Sequence, residues 1–225
     1  EFGLVRVTQP MGCNFGDLDN DGWPDFYLGT GYPEYAGIMP NLLFHNQGGT
    51  RFADVTFAAG FGHLQKGHGV SLADFDHDGD LDVFQQIGGW YPGDAFGNAF
   101  FENPGFGRHW LAVRVEGVQT NRMGVGVRIR VEFSEGGQQR VVHQRIGSGG
   151  SFGGNPFIAH IGLGSAERVE RLEIHWPTSG TTDRFSDVAV DRLVECREGS
   201  GKLVETRWKG VELTGEVGAV DRAGR

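Results

Sequence analysis

Apolar and polar residues alternate with period two along two stretches of the second half of the chain. Val125, Val127, Ile129, Val131 and Phe133 are interleaved with Gly126, Arg128, Arg130 and Glu132, and Leu111, Val113 and Val115 repeat the pattern. A strand sends successive side chains to opposite faces, so each stretch predicts a half-buried strand. Gly136-Gly137 supplies a hairpin turn ahead of Val141-Val142. In the first half the apolar runs are shorter: Phe26-Tyr27-Leu28 and Val83-Phe84, then Leu42-Leu43-Phe44 and Ala99-Phe100-Phe101. They end at Gly or Asn and are too short for helices, so they read as strands. Along the last stretch Val204, Trp208, Val211, Leu213 and Val217 are spaced as in an arm with strand potential rather than a further domain.

The first half repeats itself. A shift of 57 residues lays 12–48 over 69–105 without a gap, matching Gly12 to Gly69, Asp17 to Asp74 and Gly22 to Gly79. The register survives to Asn41/Asn98, Phe44/Phe101, Asn46/Asn103 and Gly48/Gly105. One supersecondary unit is used twice, over about 11–55 and 68–105.

Each copy carries an acidic loop. Counted from its first Asp, carboxylates fall at positions 1, 3, 5 and 9 (Asp17, Asp19, Asp21, Asp25; Asp74, Asp76, Asp78, Asp82), with Gly at 6. Position 7, Trp23 or Asp80, offers its backbone carbonyl. Alternating oxygens around a glycine bend suit a hard cation that takes 6–8 oxygen ligands, so the spacing predicts two calcium sites and disfavours the smaller magnesium octahedron. An EF-hand needs Glu at position 12, where Leu28 and Gln85 stand, and flanking helices; it is rejected. Asp-Gly clusters also serve as plain turns, a reading that one loop alone would leave open and two in register disfavour.

Charge sharpens the division. The chain of 225 residues has net charge −9, yet 1–107 holds 14 acidic and 3 basic residues, net −11, and the remainder 15 and 17, net +2. Two modules therefore meet near 107. The acidic half repels phosphate and argues against nucleic acid as a partner. Two bound calcium ions would add +4 there. Seventeen Phe, five Trp and four Tyr exclude a disordered tail, and 39 Gly without a G-X-Y period point to turn-dense β structure. No apolar run approaches the roughly 18 residues of a membrane span. The opening Glu1 reads as a processed or excised segment. Cys13 and Cys196 are expected as two buried free thiols, with a disulfide between them the alternative.

The segment Phe15-Gly16-Asp17-Leu18-Asp19-Asn20-Asp21-Gly22-Trp23-Pro24-Asp25, with Asn41 to Asn46, Phe52-Ala53-Asp54-Val55-Thr56 and Ala59-Gly60, resembles the FG-GAP/VCBS repeat of calcium-loop β-propellers. His109 to Gly117, Asn121-Arg122, Gly124 to Val131, Gly147-Ser148-Gly149, His160 to Gly164, Val169 and Leu172 to Pro177 resemble the ASPIC/UnbV domain found after such repeats in secreted proteins and cartilage acidic protein relatives. The resemblance implies an extracellular calcium-binding protein. The chain departs from it in having two repeats where a closed propeller needs at least four, and in the segment 151–156.

The fold expected is all-β: two propeller-blade-like antiparallel repeats over 1–107, a small β-sandwich or barrel over 108–199, and an arm over 200–225. No catalytic residue is assigned. Gly149-Gly150-Ser151-Phe152-Gly153 matches G-x-S-x-G, but a nucleophile elbow needs a strand-turn-helix that a glycine tract in β structure does not provide. His63 and His68 could meet in a loop, where a solvated or capping role is favoured over metal binding, and His109, His160 and His175 flank strand segments and read as hydrogen-bonded structural residues. Trp90-Tyr91-Pro92 and Tyr32-Pro33-Glu34-Tyr35 place aromatics at matching loops, suited to blade packing or to a carbohydrate or protein ligand. The function expected is a non-catalytic, extracellular, calcium-stabilised structural module that associates with its own copies, as an oligomer or fibre. Unpaired sheet edges and the arms at 1–9 (Phe2, Leu4, Val5, Val7) and 200–225 would carry that association. The alternatives are a piece of a larger monomeric propeller that binds a ligand, and an enzyme or accessory with a site around Arg122, Arg145 and His160.

Overall fold

The computed structural model describes residues 4, 6–32, 34, 36–150, 152–206 and 208–213. Their regular structure is all strand, and no helix among them is long and apolar enough to cross a membrane. The 57-residue repeat is reproduced in the strand boundaries. β1 (Pro10–Gly16), β2 (Asp25–Thr30) and β3 (Leu42–Gln47) have their counterparts in β5 (Gly67–Ala73), β6 (Asp82–Ile87) and β7 (Ala99–Phe101). The pairing repeats as well: Phe15 faces Phe26 and Phe26 faces Phe44, as Leu72 faces Val83 and Val83 faces Phe101.

The copies differ in their fourth strand. β4 (Arg51–Asp54) completes the first sheet beside β3, whereas the residues 57 positions later begin β8 (His109–Glu116), which leaves for another sheet. The first sheet thus runs β1-β2-β3-β4 and the second stops at β5-β6-β7. Tyr27 and Leu43 of the first pack onto Val70, Leu72 and Val83 of the second. A buried polar chain crosses the same seam: the Tyr27 hydroxyl donates to Gln85 Oε1 at 2.6 Å, and Gln85 Nε2 donates to Asn41 Oδ1 at 2.8 Å. Gln85, at loop position 12, therefore serves the seam between the sheets.

The second half folds into two facing sheets, β10-β9-β12-β13 and β11-β8-β14-β15. These comprise β9 (Arg128–Glu135), β10 (Gln138–Arg145), β11 (Ile158–Gly164), β12 (Arg168–His175), β13 (Thr182–Ala189), β14 (Arg192–Arg197) and β15 (Leu203–Thr206). Val127, Ile129, Val131 and Phe133 are buried against Leu111, Val113, Ile161, Leu172 and Trp176 in one sandwich core. Gly136 and Gly137, both with positive φ, make the expected hairpin between β9 and β10.

Expectations change at β8 and at Cys13. β8 is buried on both faces, because Trp110 and Ala112 pack with Leu193 and Trp208 on the side expected to meet solvent. β14 runs parallel to β8. No disulfide forms: Cys196 is buried and Cys13 is exposed, so only one thiol is buried as expected. Burial, aided by Asp183, pushes the Cys196 thiol up to about 12, where it behaves as a small apolar group.

The segment that departs from the family pattern has a structural role. The loop between β10 and β11 straps the sandwich onto both repeat sheets. Val70 N donates to Phe152 O, Ser71 Oγ to Gly154 O and Leu72 N to Asn155 Oδ1, while Asn155 Nδ2 donates to Phe15 O. The strap thereby occupies the edge of β5. Of the arms, 203–206 form β15, and Trp208, Lys209 and Val211 continue to the second acidic loop. Arg6 pairs with Asp54 at 2.6 Å, and Leu4 and Val7 are exposed. Phe2, Val5 and Val217 lie outside the described residues, as do Pro33, Tyr35 and Ser151.

Candidate metal centre

Each acidic loop is a tight connection between two strands, β1 to β2 and β5 to β6. Gly22 and Gly79 take the positive φ values of 84° and 100° that the bend requires, and Asn20 and His77, two residues earlier, are also left-handed at 55° and 65°. The internal bonds coincide after the 57-residue shift. Asp17 accepts from the amides of Asp21 and Gly22, as Asp74 does from Asp78 and Gly79. Asp25 accepts from Leu18 and Asn46, as Asp82 does from Phe75 and Asn103. The first and ninth positions thus clamp the loop, and the residues between them present the remaining oxygens.

Ligand atoms of Asp17, Asp19 and Asp21 lie within 4.8 Å of one another, as do those of Asp74, Asp76 and Asp78. Asp19, Asp25 and His45 form a third such group, with His45 Nδ1 3.1 Å from Asp25 Oδ1. Asp19 is 8% exposed, and its Oδ1 is buried without a hydrogen-bond partner. A buried carboxylate oxygen left unmatched is costly in this setting, and a cation beside Asp17 and Asp21 would satisfy it. The donor set is all oxygen, apart from His45, and fits a hard divalent cation. The side chain of Asp80 is engaged across the seam, where its Oδ1 accepts from Asn20 Nδ2 at 2.8 Å. Trp23 likewise turns its ring outward, 5.5 Å from the Arg140 guanidinium.

Crowding shows in the acidities. Burial, reinforced by Asp21, holds the Asp17 carboxyl well above the usual carboxylate range. Burial raises Asp25 to about 6, and burial with Asp78 and Asp76 raises Asp74 to about 7. Asp80 and Asp82 are pushed to about 6, again chiefly by burial. Cation-free loops therefore retain protons near neutrality, as carboxylates sharing a site must.

Both loops sit on the seam between the repeat sheets and the sandwich, and residues outside the acidic pattern hold them there. Asn20 is fully buried. Its Oδ1 meets His160 Nε2 at 2.8 Å, its carbonyl accepts from Gly164 N, and its Nδ2 reaches Gly79 O in the second loop. The matching His77 stacks on Trp208 with centroids 4.3 Å apart and contacts Lys209 O through Nδ1, while Val211 N donates to Asp76 O. Arg108 pairs with Asp19 Oδ2 at 2.6 Å and donates to Asp19 O. Asn at a left-handed position was a readable signal for a special backbone site; nothing in the sequence marked Arg108, His160 or Trp208 as their neighbours. Burial holds the His160 imidazole down at about 4, so it is neutral where it meets Asn20.

The other expected constellations are dispersed. Arg145 and His160 line one cleft of about 710 Å³, whereas Arg122 lines a different one. Around the G-x-S-x-G stretch, Gly150 and Gly153 close a tight turn on the strap, with no following helix. His63 stacks on Phe101, and His68 lies 6.0 Å from the Phe152 ring.

Residues 17–84 match the family model of the FG-GAP-like repeat, and residues 117–203 match that of ASPIC and UnbV. Over 91 residues the chain is 48% identical to mouse cartilage acidic protein 1, 46% to the human protein and 33% to that of Xenopus tropicalis. Each alignment covers 40% of this chain and 13% of the relative, so this chain corresponds to a small part of those proteins.

Proposed function

We propose that this chain is an extracellular, non-catalytic interaction module, stabilised by two calcium ions and associating with its own copies. The observation that carries the reading is the pair of superimposable acidic loops, one with a buried, unpartnered carboxylate oxygen, wedged where the two halves meet. Asp17, Asp19, Asp21, the carbonyl of Trp23 and Asp25 would hold one ion. Asp74, Asp76, Asp78, the carbonyl of Asp80 and Asp82 would hold the other. Bound calcium supplies positive charge where carboxylates crowd; this chain's residues do the rest, with Asn20 and His77 transmitting loop order to the sandwich. The FG-GAP-like match and the cartilage acidic protein relatives support an extracellular setting.

Light scattering in about 1 mM calcium, and then in chelator, tests the reading. Calcium-dependent assemblies are expected; a monomer indifferent to chelator would overturn it. The pH dependence adds a second check. A carboxyl whose folded pKa lies above its unfolded value stabilises the fold at low pH, and that stability is lost as pH rises through the folded value. For the cation-free loops that window is about pH 4 to 7, set by Asp74, Asp25, Asp80 and Asp82. The gap in melting temperature between calcium-loaded and chelated protein is expected to widen from pH 5 to pH 8, and equal gaps would contradict it.

A second reading has its own observation. Trp90 is 93% exposed on a turn pinned by the buried Lys66–Asp94 pair at 2.7 Å. An ordered turn that displays a bare indole suits a carbohydrate or protein ligand of a larger propeller.

A further inference from the structure

The second repeat sheet ends on an open edge whose counterpart in the first is filled. Leu43 N donates to Thr56 Oγ1 at 2.9 Å and Leu43 O accepts from Val55 N at 3.0 Å, so the backbone of Leu43 faces the fourth-strand segment. The equivalent residue, 57 positions on, is Phe100. Its sheet stops at β7, and among the described residues no strand lies beyond it. The repeat register therefore turns the Phe100 N–H and C=O outward.

The side chains are as unfinished as the backbone. Leu18 and Leu43 pack between the two repeat sheets, but their equivalents Phe75 and Phe100 are 39% and 41% exposed, edge to face at 5.4 Å. Phe96 and Phe106 are exposed nearby. An unpaired strand edge beside exposed aromatics is a template for strand addition. The edge is also self-complementary. A two-fold axis through Phe100 sets Phe100 against Phe100, Ala99 against Phe101 and Asn98 against Glu102, with no like charges face to face.

We infer that two copies of this chain pair antiparallel through β7, making one six-stranded sheet that runs from β5 of one copy to β5 of the next. The inference rests on the self-association proposed above and names its surface. It predicts a closed dimer as the first unit of any assembly, where a head-to-tail contact would give an open chain. Three residues of strand and a few aromatics make a small interface, so the dissociation constant should be on the order of 10 μM. Calcium should tighten the pairing by reducing the −11 charge that residues 1–107 of each copy bring to it.

The test uses the full chain, with Cys13→Ser as background to remove the exposed thiol. Opposed residues that exchange both backbone bonds have Cα atoms about 5.5 Å apart, within disulfide reach. Phe100→Cys should therefore cross-link to its own copy under mild oxidation in calcium. Phe100→Lys should weaken dimerisation at least 100-fold by light scattering while leaving the melting temperature within a few degrees. Assemblies that survive Phe100→Lys, with no cross-link from Phe100→Cys, overturn the β7 pairing and leave self-association standing. A wild-type monomer at every concentration overturns both and leaves the edge to a blade of another chain.

Discussion

Chelating calcium is expected to lower the melting temperature by about 10–20 °C. A ligand at 100 times its dissociation constant stabilises by about 2.7 kcal/mol, so two such sites contribute on the order of 5 kcal/mol. A domain of 150–250 residues shifts by roughly 2–4 °C per kcal/mol. The local reason is the density of charge: nine of the 14 acidic residues of 1–107 lie in the two loops. Without a cation, burial and mutual repulsion hold Asp25, Asp74, Asp80 and Asp82 at about 6 to 7. Asp17→Asn and Asp74→Asn should each remove about half of the calcium-dependent shift. Calorimetry with and without chelator measures it, and a melting temperature that ignores both calcium and the two substitutions would refute the sites.

Gly153→Ala should cost about 3 kcal/mol or more and loosen the sandwich from the second repeat sheet. Gly153 has φ 130°, which side chains rarely adopt, and a Cβ there would land on the Val70 carbonyl oxygen. The strap would have to lift, breaking the bonds from Val70 N to Phe152 O and from Leu72 N to Asn155 Oδ1. Gly60→Ala is the control, since Gly60 also has positive φ, at 79°, but open space around it. It should cost about 1 kcal/mol. Denaturant unfolding compares the two. If Gly153→Ala is no worse than the control, the strap does not anchor the sheet.

The loops of this protein and its repeat were legible because both are local. Positions 1, 3, 5 and 9 of each acidic run, the glycine at 6 and the 57-residue register are facts of spacing. The backbone then obeys them through short-range bonds such as those from Gly22 N and Gly79 N to the first Asp of each loop. Period-two alternation likewise located β9, where one face meets the core and the other meets water. The same rule failed on β8, because the pattern records one buried face and cannot know that Trp208 and Leu193 will cover the other.

What the tertiary structure alone decided is non-local. The residues 57 beyond β4 carry no mark showing that they will abandon the repeat for the sandwich, yet that choice leaves Phe100 on an edge that no further strand covers among the described residues. The strap at 152–155 reads as a glycine tract; only its docking against Val70 and Leu72 gives it a purpose. Arg108 and His160 are distant in sequence from the loop they serve, at separations of 89 and 140 residues. The chain sequence alone determined which groups could bind a cation and how often they recur. Which groups surround them, and whether a sheet edge is closed or open, follows from packing between segments far apart, where the free energy of burial overrides local pattern.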